Sequence, residues 1–260
     1  MLLFIGLSYT LFTHSFTQLI LYFLMQTLAS FGMLVFYTLG FSFLFYFSLF
    51  LKLGMFPFMS WYLNVLYRFP SFVLLLSRTL HKLPPLFLFL IVYSPVYSQF
   101  IIVSVLFSLI IGGFYILNIA DLRYLIVVSS IANNGFLLIA LISGRLSSFW
   151  FFYFLYFLNI FAILFVLGNL IKPLVVSNRH KALSVGWVLV LLLNIAALPP
   201  IPMFFAKFQV LYDFLALNST SVFILVVLVL GNVFMIASYC QLFIKYVTHS
   251  YSHPSNYLLF

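Results

Sequence analysis

Long apolar runs with few charges between them dominate the chain. Six runs contain no Asp, Glu, Lys or Arg, and they are residues 1–51, 83–120, 124–144, 146–171, 182–206 and 214–244. Each is long enough for at least one transmembrane helix, which needs roughly 20 apolar residues. The ten-residue segments of alternating apolar and polar residues that are typical of membrane barrels are absent. The pattern predicts an all-α, polytopic membrane protein.

Turn residues and charges divide these runs into about nine predicted spans. They lie near 2–13, 18–39, 41–66, 70–93, 97–119, 122–143, 148–171, 183–217 and 221–247. The first is short, whereas the third and eighth are long and contain prolines. Since no soluble domain or long linker separates the spans, we expect a single transmembrane domain over residues 1–260.

The composition agrees with this class and excludes several others. Only 5% of the residues are charged and the mean hydropathy is +1.28, whereas soluble domains have about a quarter charged residues. The net charge of +9 does not indicate nucleic-acid binding, because the basic residues form no cluster on a soluble face. Cys240 is the one cysteine, which excludes an internal disulfide and a cysteine metal site. No phosphate loop, metal-ligand set or nucleophile triad is present, and the first residues lack the pattern of a cleaved signal peptide.

Charges in the connecting loops predict an orientation. If the spans alternate in direction, Arg145 alone lies on one side and six basic residues lie on the other. The six are Arg68, Arg123, Lys172, Arg179, Lys181 and Lys245. The positive-inside rule then predicts an outer N-terminus and an inner C-terminal tail.

Four basic residues, Lys52, Arg78, Lys82 and Lys207, fall within predicted spans instead. A charge at the bilayer centre costs roughly 2.5–3.5 kcal/mol, so such residues face a bundle interior or a hydrated cavity. Burial favours the neutral form of a lysine, so its proton becomes exchangeable near neutral pH. The three lysines are therefore candidate proton carriers, while Arg78 is left open between the interior and the membrane boundary.

Lys52 precedes a helix break in "LKLGMFPFMSWY", since Gly54 and Pro57 follow it. Proline frees backbone carbonyls, and these need partners in lipid, so broken helices survive only beside protein or water. We predict a hydrated pocket at Lys52. The alternative is that its side chain reaches the membrane interface.

A second lysine lies beside a second break. In "ALPPIPMFFAKFQ", Pro199, Pro200 and Pro202 interrupt the eighth span, and Lys207 lies five residues after Pro202. Two broken helices with lysines, one in each half of the chain, are typical of inverted-repeat transporters. The alternative is a proline-rich loop with Lys207 at its surface.

The third lysine, Lys82, lies in "SRTLHKLPPL". A continuous helix would place Arg78 and Lys82 on one face at i,i+4, which is repulsive if both are charged. His81 titrates near physiological pH and is either a proton relay or a hydrogen-bonded helix contact.

Two weaker motifs concern helix packing. "SSIANNG" (129–135) places Ser129, Ser130, Asn133 and Asn134 in the sixth span, where they line a water file or bond neighbouring helices. "IGGFYILN" (111–118) predicts close helix packing through its glycines.

Together these motifs resemble the chain 2 family of mitochondrial NADH–ubiquinone oxidoreductase, respiratory complex I. Family members have K-L-G-M-x-P-F-x-x-W where this chain has "KLGMFPFMSW", and T-W-Q-K-L-A-P where it has "TLHKLPP". They have I-G-G followed by L-N, then S-S-I-A-x-x-G, and L-P-P-x-x-x-F-x-x-K-W where it has "LPPIPMFFAKF". The motifs occur in family order, from about Tyr22 to Lys245.

The resemblance implies an antiporter-like fold of two inverted repeats. Residues 1–93 would be the remainder of the first repeat, 94–248 the second, and 249–260 a C-terminal tail. On that fold Lys52 ends one half-channel and Lys82 lies on the central hydrophilic axis. Lys207 has the corresponding place in the second repeat. The implied function is proton translocation driven by NADH oxidation and quinone reduction elsewhere in the complex.

The resemblance also implies the cofactors, partners and location of the chain. NADH, FMN, iron–sulfur clusters and ubiquinone would be handled by other subunits, with no cofactor or metal in this chain. Its partners would be other complex I membrane-arm subunits, including antiporter-like neighbours, and lipids such as cardiolipin, but no nucleic acid. It would lie in the mitochondrial inner membrane with the Lys/Arg-rich loops on the matrix side.

The chain departs from the family at three points. Ser8 stands where the family has a glutamate that pairs with the first lysine, and the chain contains no glutamate. Either a neighbouring subunit supplies the acid or the proton path is altered. Tyr124 takes a place that the family often gives to lysine, and the family's first helices and final helix are missing, so we expect a shortened form.

Two alternatives to the proton-translocating function remain: a stand-alone cation/proton antiporter and a non-pumping structural subunit of the same complex.

Overall fold

The computed structural model describes residues 16–66, 69, 71–117, 122–171, 187, 190–191, 193–198, 201–217 and 222–252. All regular structure in these ranges is helical, which confirms the predicted all-α class. The α-helices are α1 Phe16–Thr38, α2 Ser42–Leu53, α3 Met59–Leu66, α4 Ser71–Arg78, α5 Leu83–Val92, α6 Ser98–Leu117, α7 Leu122–Ile142, α8 Leu146–Ile171, α9 Pro202–Leu217 and α10 Val222–Ser252. Short 3₁₀ turns precede α5 and α6, at Leu80–Lys82 and Pro95–Tyr97.

Several helical segments can cross a membrane by length and composition. Within the described ranges four are both long and apolar enough: Ile20–Thr38, Val73–Val92, Pro95–Phe114 and Leu146–Phe165. Helices α2, α7 and α10 contain shorter apolar stretches. The first predicted span, 2–13, lies outside the described residues.

The predicted break in the third span is confirmed. Helix α2 ends at Leu53, and Gly54 adopts a left-handed conformation with φ of +67° while its N–H donates to the Phe50 carbonyl. A side chain is excluded at Gly54, because a Cβ there would lie 2.2 Å from Cγ of Tyr62. Helix α3 begins only at Met59, beyond Pro57.

The fourth predicted span, 70–93, is long and apolar enough to cross a membrane over Val73–Val92, but it is not one continuous helix. Helix α4 ends at Arg78, Thr79 has φ −109° and ψ −84°, and a 3₁₀ turn leads into α5. The cause is the pair Pro84 and Pro85, which cannot donate to the carbonyls one turn earlier and are tolerated only where a helix begins. Arg78 and Lys82 therefore do not share a helical face.

The predicted proline break in the eighth span is also confirmed. A helical turn over 193–196 ends at Ala197, which has a positive φ of 63°, and α9 begins at Pro202. Oδ1 of Asn194 accepts a hydrogen bond of 3.3 Å from the Met203 N–H, one of the free donors of the α9 N-terminus. Pro199 and Pro200 themselves lie outside the described residues.

Helix α7 is the centre of the described structure. Every residue from 126 to 143 is buried, and α7 packs against α3, α6, α8 and α9. Helix α10 packs on α6 at the predicted glycine contact, since a Cβ on Gly113 would lie 3.0 Å from Cβ of Phe234. The polar positions of α7 therefore face protein on all sides.

Candidate functional site

Asn134 connects Lys82 to the break that follows α2. Nζ of Lys82 donates to Oδ1 of Asn134 at 2.7 Å and to the Ser130 carbonyl at 3.4 Å. Nδ2 of Asn134 donates to the Leu53 carbonyl at 3.0 Å. In an uninterrupted helix that carbonyl would accept from residue 57, but Pro57 has no N–H. The Asn134 amide thus satisfies the carbonyl that the proline leaves free.

At the second break, Lys207 itself satisfies the carbonyl that a proline leaves free. Its Nζ donates to the Ile195 carbonyl at 3.2 Å and to Oδ1 of Asn232, in α10, at 2.8 Å. The helical partner of the Ile195 carbonyl would be residue 199, which is again a proline. The ammonium also lies 5.1 Å from the centroid of the Phe136 ring. Lys207 therefore faces protein rather than the surface of a loop.

Both lysines are buried among neutral acceptors. Lys82 is 3% exposed and Lys207 is 2% exposed, and each binds one side-chain amide oxygen and one backbone carbonyl. Among the described residues neither has a carboxylate partner, since Asp213 pairs with Arg145 at 2.7 Å. Amide and carbonyl oxygens accept a hydrogen bond from a charged or a neutral amine, so these partners permit both protonation states.

Lys52 occupies a more open position, in the last turn of α2. It is half-buried, and no residue in the described ranges forms a hydrogen bond with its ammonium. The Lys52 carbonyl accepts from Nε2 of Gln26 in α1 at 3.3 Å. His81 is within electrostatic range of Lys52 and packs edge-on against Tyr22, with ring centroids 6.1 Å apart. Lys52 and His81 therefore lie towards α1, apart from the hydrogen bonds of Lys82.

The predicted supporting residues take different places. Ser129 donates to the Ile126 carbonyl of its own helix at 2.8 Å. Asn133 is fully buried, and its amide has no hydrogen-bond partner among the described residues. Pro57 is exposed between α2 and α3.

Three features of the site were not predicted from the sequence: two polar contacts and the burial of one arginine side chain. Sequence reasoning did not select Asn232, although an amide within the apolar α10 was a signal. It did not pair Arg145, correctly assigned to a loop, with Asp213, whereas the half-exposed guanidinium binds that buried carboxylate. It left Arg78 open, and the structure buries Arg78 completely.

Within the described ranges, no group of three or more His, Cys, Asp or Glu side chains is placed to hold a metal ion. The polar groups of the site are instead lysines, amides and backbone carbonyls at two helix breaks.

Comparison with known proteins finds relatives of this chain. The NADH-ubiquinone oxidoreductase chain 2 of the sea urchin Paracentrotus lividus is 29% identical over 189 residues, which are 70% of this chain and 52% of the relative. The corresponding chain of the hagfish Myxine glutinosa is 30% identical over 215 residues, covering 80% of this chain and 60% of the relative. The chain thus spans little more than half the length of these relatives.

A solved structure gives the same fold. A chain of respiratory complex I from Thermus thermophilus with bound aureothin matches 92% of this chain with a TM-score of 0.79 and 22% sequence identity, over 61% of its own length. The family model described as NADH:quinone oxidoreductase/Mrp antiporter, transmembrane, matches residues 1–235. The chain belongs to the NADH:quinone oxidoreductase/Mrp antiporter transmembrane family.

Proposed function

We propose that the chain is a proton-translocating membrane-arm subunit of NADH:ubiquinone oxidoreductase in which Lys52, Lys82 and Lys207 carry protons. The observation that carries the proposal is the burial of two ammonium groups at two helix breaks, where the hydrogen bonds of each to described residues all go to neutral oxygens. An ammonium held by a carboxylate would be fixed in its charged form. One held by amides can release and recover its proton.

The geometry suggests how a proton reaches Lys82. Asn134 fixes the position of Nζ, while the neighbouring Asn133 amide is buried without a partner among the described residues. Buried polar groups of this kind are commonly satisfied by ordered water. Water at Asn133 would provide a hydrogen-bonded path along α7, and protons would leave or reach Lys82 through it.

The two breaks support assignment to two repeats. The break near Pro57 lies within residues 1–93, and the break near Pro202 lies within residues 94–248. Each proposed repeat therefore contains one break, and residues 249–260 would form a tail. In this arrangement Lys52 and Lys207 have corresponding places, and Lys82 lies between them on the path. The Lys/Arg-rich loops would face the mitochondrial matrix.

The assembly follows from the same proposal. The relatives are named as chains of NADH-ubiquinone oxidoreductase, and we infer that this chain occupies a membrane arm beside other antiporter-like subunits and inner-membrane lipids such as cardiolipin. NADH, FMN, iron–sulfur clusters and ubiquinone would be bound by other subunits.

The experiment compares Lys82→Met and Lys207→Met in the assembled complex. Both variants remove the proton-carrying group while keeping side-chain length, so we expect NADH:quinone turnover and proton uptake by membrane vesicles to fall while assembly persists. Gln99→Met is the control, because Gln99 is exposed and distant in sequence from the lysines. Wild-type turnover and pumping in both lysine variants would contradict the proposal.

Two alternatives have specific support. The family also includes Mrp antiporters, so sodium-dependent proton flux by the purified chain in liposomes, without a redox partner, would favour a stand-alone cation/proton antiporter. The chain contains no glutamate, which favours a non-pumping structural subunit. Normal pumping by complexes that lack all three lysines would select that role.

A further inference from the structure

Arg78 presents an uncompensated charge inside the helix bundle. Its side chain is 0% exposed, and none of its three guanidinium nitrogens has a hydrogen-bond partner among the described residues. It lies at the end of α4, where the chain turns towards Lys82. Arginine remains protonated in proteins, so this charge cannot be removed by loss of a proton.

Three buried tyrosine hydroxyls interact electrostatically with the guanidinium. They belong to Tyr62 in α3, Tyr156 in α8 and Tyr239 in α10. Each hydroxyl is buried and interacts with a serine of α7, Ser130 for Tyr62 and Tyr156 and Ser129 for Tyr239. The Ser129 and Ser130 hydroxyls lie beside them but donate to the preceding turn of α7. We call Arg78, Tyr62, Tyr156 and Tyr239 the Arg78 cluster.

No negative group described in the chain compensates Arg78. Asp213 is the one carboxylate in the described ranges, and it binds Arg145. The other acid of the chain, Asp121, lies outside those ranges. Because the chain's own atoms enclose Arg78 completely, a compensating anion would have to be small enough to lie inside the bundle, which the carboxylate side chain of a neighbouring protein is not.

We propose that the Arg78 cluster binds a small monovalent anion, with chloride as the test ligand. The guanidinium N–H groups and the phenol O–H groups are all donors, and a spherical halide can accept from several donors at once. Water would satisfy the same hydrogen bonds but would leave the charge unpaired, and burial of an unpaired charge is strongly unfavourable.

The bound anion would also lie near Lys82. Nζ of Lys82 is 5.7 Å from the ring centroid of Tyr156, which is a member of the cluster. The anion would therefore supply a negative charge within the interior of a chain that has no glutamate. The inference depends on Arg78 and not on whether the lysines move protons.

Binding of ³⁶Cl⁻ to the detergent-purified full chain tests the proposal. Gluconate replaces chloride in the buffer at constant ionic strength, and retained radioactivity is measured as chloride is added. We expect saturable binding to the wild-type chain and binding that is about tenfold or more weaker in Arg78→Leu, since charged donors make the strong hydrogen bonds. Arg145→Lys is the control and should bind like wild type, because it replaces a half-exposed guanidinium and keeps a cation beside Asp213.

The competing outcomes are distinct. No saturable binding to the wild-type chain means that water alone fills the cluster, and equal binding by wild type and Arg78→Leu places the chloride elsewhere. Either result overturns the proposal. Tyr239→Phe removes one hydroxyl and keeps the ring, so it provides a second test if Arg78→Leu does not fold. Its affinity should fall several-fold, and wild-type affinity in Tyr239→Phe would then overturn the proposal.

Discussion

Nδ2 of Asn134 lies 3.0 Å from the carbonyl oxygen of Leu53, the acceptor that Pro57 leaves without a helical donor. Lys207 makes the equivalent contact at the second break, 3.2 Å from the Ile195 carbonyl. A free carbonyl in a bilayer needs an internal partner. In both places the partner belongs to a lysine site, so each helix break and its lysine form one structural unit.

The first prediction concerns two adjacent asparagines of α7. Asn134→Leu should lower the free energy of unfolding by about 2–4 kcal/mol, because it leaves the Leu53 carbonyl without a partner and the Lys82 ammonium with only its 3.4 Å contact to the Ser130 carbonyl. Asn133→Leu is the matched control and should cost much less or stabilise, since the Asn133 amide has no partner among the described residues. Denaturant unfolding of the detergent-purified chain measures both. A larger loss for Asn133→Leu would contradict the role of Asn134.

The second prediction compares two glycines that have the same backbone conformation but different free space around the position of an added Cβ. Gly54 and Gly144 both have a φ of +67°, and alanine in this conformation costs about 1–2 kcal/mol. An added Cβ meets nothing within 4 Å at Gly144 but would lie 2.2 Å from Cγ of Tyr62 at Gly54. Gly54→Ala should therefore lower the thermal unfolding midpoint clearly more than Gly144→Ala. Equal shifts would show that Tyr62 moves aside freely.

The third prediction concerns the residue that ends the turn before the second break. Ala197 has a φ of +63°, so Ala197→Gly should relieve backbone strain and stabilise the chain by up to about 1 kcal/mol. Ala196→Gly, one residue earlier in a helical turn, should instead destabilise by about 1 kcal/mol. Opposite signs in the same thermal unfolding measurement are the expected result. Destabilisation by both variants would mean that the chain does not adopt the left-handed conformation at Ala197.

The extent to which the sequence predicts the fold depends on the residue type. Proline and glycine act on the backbone directly, so the breaks near Pro57 and Pro202 are readable from the chain alone. Pro84 and Pro85 also encode the break at Thr79, but the apolar pattern of the whole segment hides it, because that pattern is the one expected of a single membrane span.

The site is less predictable because it depends on how the helices are rotated against one another. Asn133 and Asn134 are adjacent in one motif, and only the packing of α7 decides that Asn134 meets Lys82. Arg78 could reach an interface or lie in the interior, and the choice depends on how α4 packs against α8. Asn232 meets Lys207 from 25 residues away, a distance that no local pattern bridges.

The last prediction tests whether neutral partners matter for proton transfer. Asn232→Asp would place a carboxylate beside the Lys207 ammonium, where Oδ1 of Asn232 now lies 2.8 Å away. An adjacent opposite charge favours the charged form of a lysine by roughly tenfold or more. Release of the proton should slow accordingly, and NADH:quinone turnover coupled to proton uptake should fall in the assembled complex. Gln99→Glu is the control, because it adds the same charge at an exposed position in the first turn of α6, where a helix N-terminus favours negative charge, and it should leave turnover unchanged. Asn232→Leu should keep assembly but lose the positioning of Nζ, so it should also reduce turnover. Wild-type pumping by Asn232→Asp would show that Lys207 does not release its proton during turnover.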